Sequence, residues 1–168
     1  RYSLGLIPEN RKTQGFVKNF TNASNMALAS MNRFCSKGFV NARKIYDNCM
    51  YYTGEMNLHP AEPNYLTESL SGGNAQKVII AKWMTTDADI IIFDEPTKGI
   101  DVGAKAEIYR LMEDLVAGGK AIIMVSSELP EVIGMSDRVV VMREGKIMGF
   151  LNHDELNEEV IMSFAMGG

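Results

Sequence analysis

The sequence feature that most restricts the fold is the apolar run at 90–93, which Asp94 and Glu95 follow directly. A short continuous apolar run of this kind is typical of a strand buried on both faces of a parallel sheet. Similar patterns predict a second buried strand at 121–125, a third strand at 138–142, a hairpin partner at 146–151, and helices at 104–117, 128–135 and 154–165. The alternation of strands and helices predicts an α/β layer architecture with a mainly parallel sheet.

Two adjacent carboxylates, Asp94 and Glu95, stand at the carboxyl end of the predicted strand. Nucleotide hydrolases place carboxylates at this edge to hold magnesium and polarise water. Strand alternation predicts that the two side chains point to opposite sides, so that one addresses the metal and the other the attacking water. A strand that ends in two exposed acids at a turn is the alternative, and the pair alone does not exclude it.

A second motif, Leu-Ser-Gly-Gly-Asn at 70–74, opens a helix predicted at 71–84. Glycines let a backbone approach a phosphate closely, and the free N–H groups and dipole of a helix start favour negative charge. Ser71 can cap the helix or donate its hydroxyl to a ligand. An ordinary capped helix start explains the motif equally well when it is taken alone.

The first half of the chain is less regular. We predict a strand at 2–7, a polar turn-rich segment at 9–15, helices at 22–31 and 42–51 with Gly38 as a breaker between them, and a loop-rich connector at 54–69. These patterns divide the chain into a core segment at 1–15, a helical lobe at 16–86 that carries the 70–74 motif, and the remaining core at 87–168.

Composition excludes several classes of protein. A net charge of −4 argues against non-specific nucleic-acid binding. The two cysteines are too few for a disulfide framework or a cysteine metal site. No apolar stretch is long enough for a transmembrane helix, so we expect any membrane role to depend on a partner. Because residue 1 is Arg and a strand pattern starts at once, we expect the chain to be part of a longer protein.

Together the motifs resemble those of the ABC ATPase family. The segment 70–74 resembles the family signature, 90–95 its Walker B strand, and Gly-Ile-Asp at 99–101 its D-loop. Pro8 and Glu9 stand where the Q-loop follows a strand, and Val-Ser-Ser-Glu at 125–128 stands where the switch loop follows another. Segments 95–105 and 125–132 are similar to the second ATPase half of tandem bacterial importers of ribose, galactose and xylose. The resemblance implies a P-loop NTPase-like core with a helical signature subdomain, and ATP and Mg²⁺ as cofactors.

The resemblance also implies a role for each matching residue. Asp94 would hold Mg²⁺ through water, and Glu95 would be the general base for the hydrolytic water. Contacts to the γ-phosphate of a nucleotide held by an opposing ATPase half would come from Ser71, Gly72 and Gly73. The implied nucleotide-binding set is completed by Asn74, Glu9 and Asp101, the last of which would couple the two sites.

Three departures from the family pattern bear on activity. No Gly-x-x-x-x-Gly-Lys-Ser/Thr occurs in the chain, which we interpret as truncation at the N-terminus. Glu9 replaces the usual glutamine, and an ionised carboxylate cannot donate a hydrogen bond. Ser127 replaces the usual histidine of the switch and cannot carry a positive charge. These changes predict that this half mainly completes the active site of the other half.

The resulting hypothesis is an ATP-hydrolysing subunit of a bacterial monosaccharide importer, peripheral to the cytoplasmic side of the cell membrane and inactive as an isolated fragment. Its expected partners are the other ATPase half, the membrane-spanning permease subunits and, indirectly, a sugar-binding protein, with no nucleic acid. A degenerate half that serves as signature donor and scaffold is one alternative, favoured by Glu9 and Ser127 and disfavoured by the Asp94–Glu95 pair. A soluble ABC ATPase outside transport is another, but the long basic insertions usual in that class are not seen.

Overall fold

A computed structural model describes residues 2–167 of the chain. These residues form two compact units, and the chain passes from the first to the second between Val125 and Ser126. The strands of the first unit are β1 (Leu4–Ile7), β2 (Cys35–Ser36), β3 (Phe39–Val40), β4 (Ile90–Asp94) and β5 (Ala121–Val125). Its α-helices are α1 (Asn22–Ala27), α2 (Met31–Phe34), α3 (Ala42–Glu55), α4 (Gly72–Thr85) and α5 (Val102–Ala117). The second unit contains α6 (Leu129–Met135), β6 (Arg138–Arg143), β7 (Lys146–Asn152) and α7 (Glu158–Met166).

Strands β1, β4 and β5 form a parallel sheet with β4 in the middle. The register places Phe93 between Ile7 on one neighbour and Met124 on the other. Parallel neighbours require long crossover connections, and the helices between the strands belong to these connections. The predicted α/β fold with a parallel sheet, and the predicted strands at 2–7, 90–93 and 121–125, are confirmed.

The two faces of this sheet differ in burial. Ile7, Ile91 and Phe93 are buried on one face. On the other face Leu4 is 55% exposed and Ile123 is 52% exposed. In β4 the residues on this face are half-buried. The prediction that the strands at 90–93 and 121–125 are buried on both faces is therefore wrong. An apolar run shows that a strand can be buried, but it does not show that an element covers each face.

Helix α4 packs on the buried face through Trp83. A Cβ atom on Gly5 would lie 3.1 Å from three atoms of the Trp83 ring, so a glycine in β1 allows the indole to sit directly on the strand. The Trp83 ring therefore contacts the sheet directly. A tryptophan in an amphipathic helix marks a packing face without identifying the partner.

A buried polar network organises the chain around α1. The Asn25 side chain accepts a hydrogen bond from the Val17 amide (2.8 Å) and donates to the Thr67 hydroxyl (2.9 Å). Thr67 in turn donates to Asn22 Oδ1 (3.0 Å). Buried polar groups are stable only when they are paired. The network therefore ties the segment after the π-helical turn Arg11–Gly15 to the segment just before α4.

The helix predicted at 22–31 is divided into α1, a 3₁₀ turn at Leu28–Ser30 and α2. The division falls at Ser30, whose backbone leaves the helical region (φ −126°, ψ 27°) and whose hydroxyl donates to the Ala27 carbonyl (3.4 Å). Serine side chains compete with the backbone in this way and weaken helix interiors. The helix predicted at 42–51 is present as α3 and extends to Glu55.

A small hairpin of β2 and β3 lies between α2 and α3. Its two turn residues, Lys37 (φ +50°) and Gly38 (φ +84°), both have left-handed backbones, which is the pattern of a type I′ turn. The predicted break at Gly38 is confirmed, whereas the hairpin is not predicted from the sequence.

The second unit is a β-hairpin packed against helices. Strands β6 and β7 pair in antiparallel, which confirms the predicted hairpin, and they form a two-stranded sheet of their own. A small core packs beneath them and consists of Val139, Val141, Leu151 and Ile161. The helix predicted at 154–165 is a 3₁₀ turn at His153–Glu155 followed by α7, because Asn157 is extended and caps α7 through the Val160 amide (2.9 Å). No helix within residues 2–167 is long and apolar enough to span a membrane.

Candidate functional site

The first turn of α4 presents the exposed hydroxyl of Ser71 beside the backbone amides of Gly72 and Gly73. Ser71 caps the helix, and its Oγ accepts hydrogen bonds from the Asn74 amide N (3.4 Å) and from Asn74 Nδ2 (3.0 Å). A hydroxyl has two acceptor sites and one donor, so the remaining capacity of this exposed hydroxyl is its proton. The amides of Gly72 and Gly73 belong to the first turn, where backbone donors have no partner within the helix. The site can therefore donate several hydrogen bonds to one anionic acceptor.

Asn74 holds this arrangement in place. Its Nδ2 reaches Ser71, and its Oδ1 accepts from the His59 amide (3.0 Å). The side chain thus connects the helix cap to the preceding loop. The structure gives Asn74 an internal role that the sequence analysis did not foresee, and its contact with a nucleotide stays a prediction.

The two glycines of the motif have packing partners in the chain itself. A Cβ atom on Gly73 would lie 2.8 Å from the Cβ of Ala104 in α5, and one on Gly72 would lie 3.2 Å from the Gly99 carbonyl oxygen. Real Cβ atoms do not approach other atoms as closely as 2.8 Å. Glycine at 73 is therefore required for α4 to pack against α5, independently of any phosphate.

The carboxyl end of β4 carries the two adjacent acids. The strand ends at Asp94, and Glu95 has a left-handed backbone (φ +48°) with its amide donating to the Val125 carbonyl (2.8 Å). Strand alternation therefore does not set the direction of Glu95, which corrects the expectation from the sequence. A left-handed conformation costs a non-glycine residue about 1–2 kcal/mol, and such conformations concentrate at functional sites. Both acids are half-buried.

The segment after Glu95 is a tight double turn. The Lys98 amide donates to the Glu95 carbonyl (3.2 Å) and the Ile100 amide to the Thr97 carbonyl (3.1 Å). The turn ends at Asp101, whose carboxylate caps α5 by accepting from the Ala104 amide (3.0 Å). Asp101 is exposed at this helix start, and its predicted coupling role stays a prediction.

The Q-loop-like segment is bonded to this turn. Glu9 Oε1 lies 2.7 Å from Lys98 Nζ, and Arg11 Nη2 donates to the Lys98 carbonyl at 2.6 Å. The hydrogen bond and charge of Glu9 raise the pKa of Lys98 above its ordinary value. Glu9 is predicted from the sequence as a site residue, whereas Lys98 is not. No local pattern marks this contact, because 87 residues separate Arg11 from Lys98.

A cleft of about 520 Å³ lies where these segments meet. Its lining includes the three charged residues of the Q-loop-like segment and the start of α4. Lining residues include Glu9, Arg11, Leu70, Gly72, Lys98 and Gly99. The structure thus brings the signature motif, the turn after β4 and the Q-loop-like segment to one place in the first unit.

The switch-like segment lies in the second unit. The Ser126 hydroxyl donates to the Glu131 carboxylate and accepts from the Glu128 amide (3.0 Å). Glu131 is buried in α6. Ser127, the predicted catalytic residue of the switch, is exposed between these contacts. The backbone that carries Ser127 is therefore held by its neighbour, a feature that the sequence analysis missed.

A parallel sheet with paired acids at the end of its central strand, beside a helix that opens on Ser-Gly-Gly, defines the class of α/β nucleotide-binding cassettes. The family model described as "ABC transporter" matches residues 1–98, which is more than half of the chain, and the chain belongs to this family. A solved structure of the ATP-binding cassette MJ0796, a dimer in a post-hydrolysis state bound to ADP and Pi, has the same fold. Its TM-score is 0.74 at 19% identity, over 90% of this chain and 63% of that one.

Two curated relatives are much more similar in sequence. The chain is 47% identical over 167 residues to "Ribose import ATP-binding protein RbsA" of Halalkalibacterium halodurans. It is 46% identical over 167 residues to a protein of Geobacillus kaustophilus whose name assigns it to the import of ribose, galactose or methyl galactoside. These alignments cover 98% and 99% of this chain and 33% of each relative. The chain therefore spans about a third of the length of these relatives.

Proposed function

We propose that the chain is part of an ATP-binding subunit that couples ATP hydrolysis to monosaccharide uptake in a bacterial ABC importer. The observation that carries this proposal is the start of α4, where an exposed Ser71 hydroxyl retains only its donor capacity beside the amides of Gly72 and Gly73. Such a helix start favours a phosphate group. The names of the relatives support monosaccharide import.

The phosphate that this site takes is the γ-phosphate of ATP held by another ATPase half. Ser71, Gly72 and Gly73 donate to its oxygens, and Asn74 fixes the serine that caps the helix. The positive end of the α4 dipole adds to the attraction for the anion. Asp101 lies at the start of the neighbouring helix α5. At this position it couples the binding of the γ-phosphate beside Ser71 to the nucleotide site of this chain.

The paired acids of β4 act on this half's own nucleotide. Among residues 2–167, no group of three or more His, Cys, Asp and Glu side chains could hold a metal by itself. The carboxylate oxygens of Asp94 and Glu95 are donors of the kind that Mg²⁺ takes, and this ion obtains most of its other ligands from water and from the phosphates of a nucleotide. Asp94 would hold the ion through water, and the bound ion would supply positive charge that offsets the charge of the phosphates. Glu95 accepts the proton of the hydrolytic water, and Ser127 takes the place of the switch histidine in the sequence.

The partners follow from the same proposal. They are the second ATPase half, the permease subunits and, indirectly, an extracytoplasmic sugar-binding protein, with the chain peripheral to the cytoplasmic face of the membrane. The net charge of −4 supports a protein partner over nucleic acid.

Replacement of Ser71 by aspartate tests this function in the full-length ATPase. Aspartate is as good a helix cap as serine, but it cannot donate and it repels a phosphate. We expect hydrolysis to fall by about 100-fold, in the range for loss of one transition-state donor, with an unchanged melting temperature. Asn157→Asp is the matched control, because it makes a helix cap acidic in α7. Turnover close to that of the unmodified protein in Ser71→Asp would refute the proposed role.

A second candidate function is that of a degenerate ATPase half. Such a half contributes its signature motif to the other half's nucleotide but does not hydrolyse ATP at Asp94 and Glu95. The Glu9–Lys98 ion pair favours it, since the carboxylate that replaces the Q-loop glutamine is occupied by this chain's own lysine. Glu95→Gln separates the two candidates. Unchanged turnover supports the degenerate half, while a reduction smaller than that from the equivalent change in the other half supports slow hydrolysis at this site.

A further inference from the structure

Arg11 brings three separate segments together. Its Nη2 donates to the Lys98 carbonyl at 2.6 Å. The same nitrogen lies 3.4 Å from the position of a Cβ on Gly99 and 3.8 Å from that of a Cβ on Gly72. The Q-loop-like segment, the turn after β4 and the first turn of α4 therefore converge on one guanidinium group.

The position of Arg11 is costly in isolation. Its Nη1 is buried and has no hydrogen-bond partner among the described residues, and burial lowers the pKa of the group. A buried donor without a partner costs free energy that packing has to offset. Sites that break a local rule of stability in this way are often functional.

The neighbouring ion pair does not explain how the turn is held. The side chains of Lys98 and Glu9 are 60% and 48% exposed, and exposed ion pairs contribute little to stability. The bond from Arg11 is short and is made to the backbone of the turn, and Arg11 itself is half-buried. We expect Arg11, and not Glu9, to fix the position of residues 98–101.

The turn is in direct contact with the signature motif. The Gly99 carbonyl oxygen lies 3.2 Å from the position of a Cβ on Gly72. The turn continues into Asp101, which caps α5, and Ala104 of that helix packs on Gly73. A shift of the turn would therefore move Asp101 and alter the surface beside Gly72 at the same time.

We propose that Arg11 is a positioning residue that holds the turn at 98–101 against the first turn of α4. Asp101 and the Ser71–Gly72 edge are thereby held in one fixed arrangement, a preset unit, before they contact the opposing nucleotide. This inference rests on the proposed function, because it assigns the preset unit to that nucleotide. Arginine suits the role because its planar fork directs several N–H groups at once, whereas lysine offers a single ammonium centre.

The test compares Arg11→Met and Arg11→Lys with Lys12→Met in the full-length ATPase. Lys12 is the exposed neighbour on the same segment, so its replacement removes one positive charge and leaves the Arg11–Lys98 contact in place.

In Arg11→Met we expect amide hydrogen exchange at 98–101 to become at least about tenfold faster, consistent with local opening. We expect kcat to fall by about 10- to 100-fold, since a displacement near 1 Å can have this effect, with a smaller change in KM. Arg11→Lys should lie between these values and the unmodified protein.

Exchange at 98–101 that stays unchanged in Arg11→Met, or matches that of Lys12→Met, overturns the proposal. A loss of kcat with faster exchange over the whole chain also overturns it, since that indicates general unfolding. If Arg11→Met does not fold, the same criteria apply to Arg11→Lys. Ser71→Asp separates the two hypotheses: normal turnover in that variant with fast local exchange in Arg11→Met refutes the proposed function and leaves the contact of Arg11 standing.

Discussion

The Cβ of Ala104 lies 2.8 Å from the position that a Cβ would take on Gly73. This relationship gives the second signature glycine a structural role that is separate from its proposed contact with a phosphate, because it sets the contact between α4 and α5. Loss of activity after substitution at Gly73 therefore cannot be attributed to the phosphate alone. A variant that changes the contact without changing the motif is needed to separate the two effects.

Gly73→Ala is expected to destabilise the chain by about 1–3 kcal/mol, the usual cost of overpacking a tight contact. Ala104→Gly in the same chain should recover part of this loss, because it removes the methyl group that clashes. Gly54→Ala is the control, since a Cβ at Gly54 meets nothing within 4 Å and alanine favours the helix. The measurement is urea unfolding at low protein concentration. Equal stability of Gly73→Ala and Gly54→Ala would contradict the contact.

The parts of the site that the sequence predicts are those with a local cause. Ser71 is predictable as a cap because a serine before two glycines and an apolar helix is a known helix start. The strand that ends at Asp94 is predictable from its apolar run. Both features depend on residues within a few positions of one another, and the structure confirms both.

The parts that the sequence does not predict depend on distant residues or on what covers a surface. The Arg11–Lys98 contact joins positions 87 residues apart, and either side chain alone has the pattern of a solvated charge. The left-handed backbone of Glu95 follows from its bond to Val125 in the next strand. The exposure of one face of β5 cannot be predicted from hydrophobic periodicity, because the same apolar pattern occurs whether or not another element covers the strand.

The bond between Ser126 and Glu131 is expected to hold the switch-like segment. Glu131→Ala leaves the Ser126 hydroxyl without this buried acceptor, and we expect a loss of about 1–3 kcal/mol in stability. Amide exchange at 126–128 should become faster, and Glu131→Gln, which keeps an acceptor oxygen, should lose less. Hydrogen exchange with mass spectrometry is the measurement. The interpretation fails if the alanine and glutamine variants exchange at the same rate as the unmodified chain.

We expect the buried thiol of Cys49 to lower the free energy of unfolding of the chain at alkaline pH. Burial raises the pKa of its thiol from 9.0 to about 11, with the Glu62 charge adding to the shift and the Thr53 hydrogen bond opposing it. A pKa raised in the folded state contributes stability that is full below the unfolded value and is lost as pH rises through the folded value. The free energy of unfolding should therefore decline between about pH 9 and pH 11.

Cys49→Ala provides the comparison for this pH dependence, since it removes the titrating group. The difference in unfolding free energy between the two proteins, measured by urea titration, should narrow as pH rises over that range. At pH 8 the buried thiol should react with iodoacetamide only through opening of the fold, because the thiolate is the reactive species. A difference in unfolding free energy that stays constant from pH 9 to pH 11, or rapid alkylation of Cys49 in the folded chain, would show that the Cys49 thiol is not protected.

The exposed face of the parallel sheet is expected to make the isolated 168-residue chain self-associate. Leu4 is 55%, Ile123 52% and Val125 51% exposed on this face. Within residues 2–167, β1 and β5 each pair with one neighbour in this sheet, and open apolar edges of this kind promote association.

Light scattering after size exclusion should give a mass above 18.6 kDa that rises with protein concentration. The variant Ile123→Lys should lower it, while Lys120→Met, which leaves the face unchanged, should not. A monomer at all concentrations would refute the prediction.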